Sequence, residues 1–183
     1  MMAARPDVMI SAGGDVVAVR GGDGRLSAVK FGSDTLSVRA WLAADGDDRL
    51  PTDHGVASGF ACDPDGCVAR LADGTAVAVS RTAAALADDC FRAALVVTLR
   101  SAPADCAASV INRAALRRNG AMALTYRGGK FEMVAARPDG LDRPWARRRE
   151  DTRNATPPRV TASGAPIGTR DATPSQPDSD AEP

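Results

Sequence analysis

Short apolar stretches separated by glycine and aspartate are the feature that most constrains how this chain can fold. Turn residues recur at Gly13-Gly14, at Gly22-Asp23-Gly24 and at Asp63-Pro64-Asp65-Gly66. Glycine and aspartate tolerate the backbone angles of tight turns, and alternating apolar residues on both sides of such turns predict antiparallel strands. The chain is therefore expected to fold largely through β-hairpins.

The pattern between the turns predicts strands interrupted by three helices. Predicted strands lie at residues 7–11, 16–20, 26–31, 59–62, 68–71, 76–80, 94–99, 109–111, 121–127 and 130–136. The helices are capped by Ser33 or Asp34, by Thr82 and by Asn112, whose side chains suit an N-cap. The run 94–99 is continuously apolar, which predicts a strand buried on both faces and central in its sheet.

These elements indicate one domain of the α/β class, with α+β as the alternative. A chain of 183 residues with 44% hydrophobic residues can enclose a single core. Composition changes after Trp145, because six of the twelve prolines lie in the last 27 residues. We therefore expect a domain at 1–146 and a disordered tail rich in proline, serine, threonine and aspartate at 147–183.

Charge gives no overall bias towards nucleic acid. The formal net charge is zero, so a nucleic-acid role would need a local basic patch. Five basic residues near the last helix and hairpin could form one: Arg113, Arg117, Arg118, Arg127 and Lys130. Arg113 and Arg117 are four residues apart and can share a helix face, although a solvated helix face is the simpler interpretation.

Four cysteines are the next candidates for chemistry. Cys62 and Cys67 lie on either side of a tight turn, and Cys90 and Cys106 flank the apolar run 94–99. Disulfides within each pair are one interpretation, and they would favour an oxidising compartment. A zinc site made of all four thiolates and reduced, partly buried thiols are the alternatives.

Other catalytic and membrane signals are weak in this sequence. His54 is the single histidine and lies in a predicted surface loop. The chain contains neither a phosphate-binding glycine loop nor a nucleophile elbow. No apolar run approaches the roughly 18 residues that span a bilayer, and residues 1–10 do not form a secretory signal.

Six blocks in order carry a family resemblance. They are VAVRGGDGRLSAVKF, WLAADGDDR, ACDPDGCVARLADG, DDCFRAALVVT, DCAASVINRAALRRNGAMAL and ARPDGLDRPWAR. From about Arg5 to Arg147 the chain resembles the C-terminal soluble region of ComEC-type competence proteins. These inner-membrane proteins bring transforming DNA into bacteria, and in them this region normally follows a block of transmembrane helices. The resemblance therefore implies a segment detached or truncated from a larger protein.

The resemblance also implies a metallo-β-lactamase-type domain, which ComEC-type proteins often contain. The order of elements in 76–136 looks like the second half of such a domain. Metal-binding versions hold two ions with several histidines, whereas this chain has one, and its matching strands end in Ser80-Arg81 and Leu99-Arg100. We therefore expect a degenerate copy with no metal, no cofactor and no catalytic residue.

The expected function follows from that resemblance. It is a non-catalytic accessory domain in DNA uptake across the inner membrane, with the membrane channel portion and single-stranded DNA as partners and no small-molecule substrate. If the cysteines pair, the periplasmic side is favoured. The alternatives are half of a metal-dependent nuclease-like hydrolase that another segment completes, and an inactive truncated fragment.

Overall fold

The computed structural model describes residues 5–138. Those residues form a mixed α/β fold of ten strands, three α-helices and one 3₁₀ turn. The predicted domain boundary at 146 and the predicted tail at 147–183 lie outside the described residues. In the described part of the chain, no helix is long and apolar enough to cross a membrane.

The elements follow the predicted order closely. In chain order the strands are β1 (Val8–Ile10), β2 (Val16–Arg20), β3 (Leu26–Lys30), β4 (Phe60–Cys62), β5 (Gly66–Arg70), β6 (Ala76–Ser80), β7 (Leu95–Thr98), β8 (Ser109–Ile111), β9 (Met122–Arg127) and β10 (Lys130–Ala135). The helices are α1 (Leu36–Asp45), α2 (Ala83–Arg92) and α3 (Arg113–Asn119), and the 3₁₀ turn is His54–Val56.

The first sheet is antiparallel and joins the two ends of the described chain. Its strand order is β10-β9-β1-β2-β3. Within it, β1 pairs with β2 and β2 with β3 in antiparallel hairpins, as the turn pattern predicts. The last hairpin then pairs with β1, so that Val8 lies opposite both Val19 and Leu124.

The second sheet is mixed, in the order β4-β5-β6-β7-β8. The pairs β4–β5 and β5–β6 are antiparallel, whereas β6–β7 and β7–β8 are parallel. All four residues of β7 are buried, as predicted. Its predicted central position is wrong: β6 is central, because the hairpin β4–β5 adds two strands on its far side and only β8 lies beyond β7.

The two sheets pack face to face, and a helix covers each outer face. Val17 and Val19 of β2 meet Val77 and Val97 of the second sheet in the core between the sheets. The alternate residues of β2, such as Ala18, point to the outer face of the first sheet and pack under α1. On the outer face of the second sheet, α2 covers the strands. Because strand side chains alternate between faces, the result is a four-layer sandwich of helix, sheet, sheet and helix.

The helices α2 and α3 each start at a side-chain cap. Thr82 Oγ1 accepts a hydrogen bond from Ala85 N at 3.2 Å, and Asn112 Oδ1 accepts one from Ala115 N at 3.0 Å. Near the start of α1, Asp34 Oδ1 accepts a hydrogen bond from the backbone N–H of Ser37 at 3.0 Å. The residue directly before α1 is Thr35, which makes no side-chain cap hydrogen bond. The predicted caps Ser33 and Asp34 are therefore wrong for the N-cap position, although Asp34, one residue earlier, accepts the hydrogen bond from Ser37.

Candidate functional site

A cleft of about 430 Å³ opens at the carboxyl ends of the parallel strands. Ser80 ends β6 and Thr98 ends β7, and both residues are buried at the base of the cleft. The turn between β1 and β2 and the residue after β3 complete the wall. Open sheets with parallel strands bind ligands at this edge, because the loops that follow the strands meet there.

Three arginines surround the cleft, one after each parallel strand. Arg81 follows β6, Arg100 follows β7 by two residues, and Arg113 begins α3 after β8. Arg100 Nε donates a hydrogen bond to the carbonyl oxygen of Arg81 at 2.8 Å. The guanidinium carbon of Arg81 lies 5.2 Å from the centre of the Phe31 ring, at the distance of a cation–π contact. All three arginines are exposed to solvent.

Apolar side chains line the rest of the cleft. Val79 and Val97 are buried strand residues that belong to the core between the sheets. Phe31 and Leu99 are 36% and 40% exposed, although both are large apolar residues. The cleft therefore offers an exposed aromatic ring and an aliphatic side chain beside its positive charges.

The other polar groups in and below the cleft are held by internal hydrogen bonds. Asp15 supplies the one carboxylate in the lining, and its Oδ1 accepts a hydrogen bond from Ser11 Oγ at 2.8 Å. The Ser80 hydroxyl donates to Asp89 Oδ2 at 2.7 Å. The Thr98 hydroxyl oxygen accepts from Arg100 N at 3.2 Å. Three guanidinium groups against one carboxylate leave the cleft positively charged.

Gly14 brings the β1–β2 turn against α3 and the cleft. Its φ is +73°, and a Cβ there would lie 2.6 Å from Leu116 Cδ1 and 2.9 Å from Leu99 Cδ2. Only glycine fits this close approach without moving a side chain. The contact places the turn, the first part of α3 and the end of β7 around one opening.

The five predicted basic residues are not brought together. Arg113 lines the cleft, whereas Arg127 and Lys130 face each other across the tip of the β9–β10 hairpin. Met122, the first residue of β9, follows closely after the end of α3. A strand rises about 3.3 Å per residue, so Arg127 lies about 17 Å along β9 from Met122.

Arg117 and Arg118 lie in the last turn of α3 and are exposed. The Arg117 carbonyl oxygen accepts a hydrogen bond from Arg137 Nη1 at 3.3 Å. The predicted cluster thus divides between a group at α3 and a pair at the far hairpin tip.

The sequence pattern does not single out Arg81 and Arg100 as residues that line one cleft. In the sequence both residues stand at the ends of predicted strands, where the metal-binding versions of the resembled domain carry ligands. The signal in the sequence is that an arginine follows each of three consecutive predicted strands, which end at positions 80, 99 and 111. This pattern indicates a shared cleft only when the three strands are known to be parallel neighbours.

The four cysteines lie as two pairs at bonding distance. The Sγ atoms of Cys62 and Cys67 are 2.13 Å apart, and those of Cys90 and Cys106 are 2.09 Å apart. Cys67 belongs to the core between the sheets, whereas Cys90 is a residue of α2 and packs against the outer face of the second sheet. The alternative of one four-thiolate zinc site is wrong for this fold, because the second sheet separates the pairs.

His54 is exposed in the 3₁₀ turn. Among residues 5–138, no three or more histidine, cysteine, aspartate or glutamate side chains are grouped as a metal site. The chain matches no family model, no curated protein and no solved structure. The geometry and charge of the cleft are therefore the observations that bear on function.

Proposed function

We propose that residues 5–138 form a non-catalytic accessory domain of a ComEC-type competence protein. This domain binds phosphates of the incoming DNA strand during uptake across the inner membrane. The observation that supports this role is the convergence of Arg81, Arg100 and Arg113 on one cleft. Guanidinium groups suit phosphate because their planar donors can bind two oxygens at once.

Because the positive charge of the cleft is local, it favours contact with a DNA strand at one place. The whole chain has no net charge, so it provides no general attraction for DNA. A local excess of positive charge lies in the cleft where three loops meet, with three arginines against one carboxylate. A DNA strand would therefore be guided to the cleft and would not be held along the entire protein surface.

The proposal assigns binding to the cleft and not hydrolysis. Metal-assisted hydrolysis needs imidazole and carboxylate ligands, and the side chains after the parallel strands are arginines, which do not bind metal ions. The elements from β6 to β10 follow the order strand, helix, strand, strand, helix, hairpin. That order supports a degenerate metallo-β-lactamase-like fold as part of the proposal.

The proposed location is the periplasmic side of the inner membrane, beside the channel portion of the competence protein. The two cysteine pairs at bonding distance support it, because disulfides persist in oxidising compartments.

Binding of a fluorescent single-stranded oligonucleotide to the oxidised full chain tests the proposal. Affinity should fall as salt rises, and the double variant R100E/R113E should bind at least about tenfold more weakly with a shallower salt dependence. The double variant R39E/R92E is the matched control, because it makes the same charge change at exposed arginines on the outer helices α1 and α2.

Two results would overturn the proposal. One is equal loss of binding in the control and cleft variants, which would indicate general charge and not the cleft. The other is cleavage of the oligonucleotide that depends on added Zn²⁺ or Mn²⁺, which would support the hydrolase alternative.

A further inference from the structure

We infer that the cleft binds one unpaired nucleotide, with its base against Phe31 and Leu99 and its phosphate at Arg100 and Arg113. This inference rests on the proposed function and deepens it, because it specifies the chemical unit of the strand that the cleft receives. It depends on two kinds of surface that meet within one opening, one apolar and flat, the other cationic.

The apolar part is suited to a base. Phe31 is the residue after β3 and Leu99 is the residue after β7, so they come from different sheets and face one cleft. Large apolar side chains are usually buried, and both of these remain more than a third exposed. Aromatic side chains bind unpaired bases by stacking, which any base can satisfy because each has a π face.

Arg81 connects the apolar and cationic parts of the cleft. Its guanidinium lies over the Phe31 ring at 5.2 Å, and its backbone N–H donates a hydrogen bond to the Asp65 carbonyl oxygen at 2.8 Å. The β4–β5 turn therefore positions the backbone of Arg81, and the guanidinium of Arg81 contacts one face of the Phe31 ring. A stacking surface held in position before binding loses less conformational entropy when the base arrives.

The cationic part is suited to a single phosphate. Arg100 is anchored through Nε to the Arg81 carbonyl oxygen, which leaves its terminal nitrogens without a protein acceptor among residues 5–138. Arg113 begins α3 and lines the same opening. The Asp15 carboxylate, tied to Ser11, is the one negative group in the lining and disfavours a phosphate beside it. The phosphate is therefore directed to the arginines.

The size of the cleft favours a single strand. A volume of about 430 Å³ lies within the range of sites for small ligands. In a duplex the base faces are stacked on their neighbours, and reaching such a site would require flipping a base out at an energetic cost. An unpaired nucleotide meets no such cost, so the cleft should select single-stranded DNA.

Competition against the bound fluorescent single strand tests the inference with the oxidised full chain. The competitors are deoxyadenosine monophosphate, deoxyribose 5-phosphate, inorganic phosphate and the duplex of the same sequence. Deoxyadenosine monophosphate should compete at least about fivefold better than the two phosphates that lack a base. The duplex should compete more weakly than an unlabelled single strand.

Variants of the apolar part provide a second readout. F31A and L99A should each weaken binding of the single strand by about fivefold or more and leave the salt dependence unchanged. F91A is the matched control, because Phe91 is 66% exposed on α2 and does not line the cleft. Thermal unfolding of each variant shows whether the fold is retained, and L99A serves if F31A does not fold.

The outcomes separate this inference from the proposed function. If R100E/R113E weakens strand binding but F31A and L99A behave like F91A, the base site is overturned and the phosphate-binding function stands. If a direct calorimetric titration shows that deoxyadenosine monophosphate binds the chain but no oligonucleotide does, the nucleotide site is supported and the proposed DNA function is overturned. If neither ligand binds, both are overturned.

Discussion

Arg20 and Asp45 form a two-point ion pair that joins the first sheet to the helix above it. Arg20 Nη1 lies 2.8 Å from Asp45 Oδ2, and Arg20 Nη2 lies 2.9 Å from Asp45 Oδ1. The two side chains are only 12% and 10% exposed. Arg20 ends β2 and Asp45 ends α1, so the pair fixes the C-terminal end of the helix on the sheet.

Removal of the Asp45 charge should destabilise the domain. D45N leaves the largely buried Arg20 guanidinium without its anionic partner, which should lower the free energy of unfolding by about 2 kcal/mol. Urea unfolding followed by circular dichroism measures the change. D48N is the control, because Asp48 is exposed and makes no side-chain hydrogen bond within residues 5–138; it should change stability by less than about 0.5 kcal/mol. Equal effects of the two variants would contradict the role of the pair.

Stability should fall in acid because two native carboxyls resist protonation. The hydrogen bonds from Arg20 lower the pKa of Asp45, and those from the Arg49 side chain hold the pKa of Asp47 far below its usual range. The unfolded chain then binds more protons than the native one at low pH. The contribution of both groups is complete above the ordinary aspartate pKa of about 3.9 and is lost as the pH falls below it.

Urea unfolding at a series of pH values from about 6 to about 2.5 checks this dependence. The free energy of unfolding should decline below about pH 4 in the wild type, and the decline should be shallower in D45N. An unchanged slope in D45N would show that Asp45 does not contribute.

The two cysteine pairs should differ in their contribution to stability. Cys90 and Cys106 are separated by 16 residues, and Cys62 and Cys67 by 5. A longer loop loses more entropy when it is closed in the unfolded chain, so C90A/C106A should cost about 3 kcal/mol and C62A/C67A about 2 kcal/mol. Urea unfolding of both double variants under oxidising conditions measures the difference. A larger cost for C62A/C67A would contradict this order.

Gly14 should be less tolerant of a side chain than Gly24. Both have φ near +75°, but a Cβ at Gly14 meets Leu116 and Leu99, whereas a Cβ at Gly24 meets nothing within 4 Å. G24A should therefore cost about 1 kcal/mol for its backbone angle. G14A should cost at least about 2 kcal/mol, because the backbone angle is unfavourable and the buried Leu116 must repack to make room for the new Cβ. Thermal unfolding of the two variants checks this, and equal costs would show that the contact with Leu116 is easily relieved.

The positions of the strands and helices could be predicted because they depend on local chemistry. Tight turns need glycine or aspartate, helix starts need a capping side chain such as Thr82, and a strand buried on both faces needs a continuous apolar run such as β7. Each of these signals lies within a few residues of the structure that it produces. The hairpins β2–β3, β4–β5 and β9–β10 can therefore be predicted from the sequence.

The order of strands within the sheets could not be predicted in the same way. Val8 pairs with Leu124, and nothing near either residue specifies that partner. The central position belongs to β6 because a hairpin adds to one side of it and parallel strands to the other. Such pairings are chosen by how well whole apolar faces pack together, and that is a property of the complete core.

By itself, the sequence determined the turns, the helix caps, the alternation of apolar residues and the presence of a single histidine. Only the tertiary structure decided that Arg81, Arg100 and Arg113 share one cleft and that Arg127 and Lys130 do not join them. The physical reason is that parallel strands bring their carboxyl ends to one edge, while an extended strand carries its far end away. Local chemistry selects the elements, and the packing of two sheets selects which side chains meet.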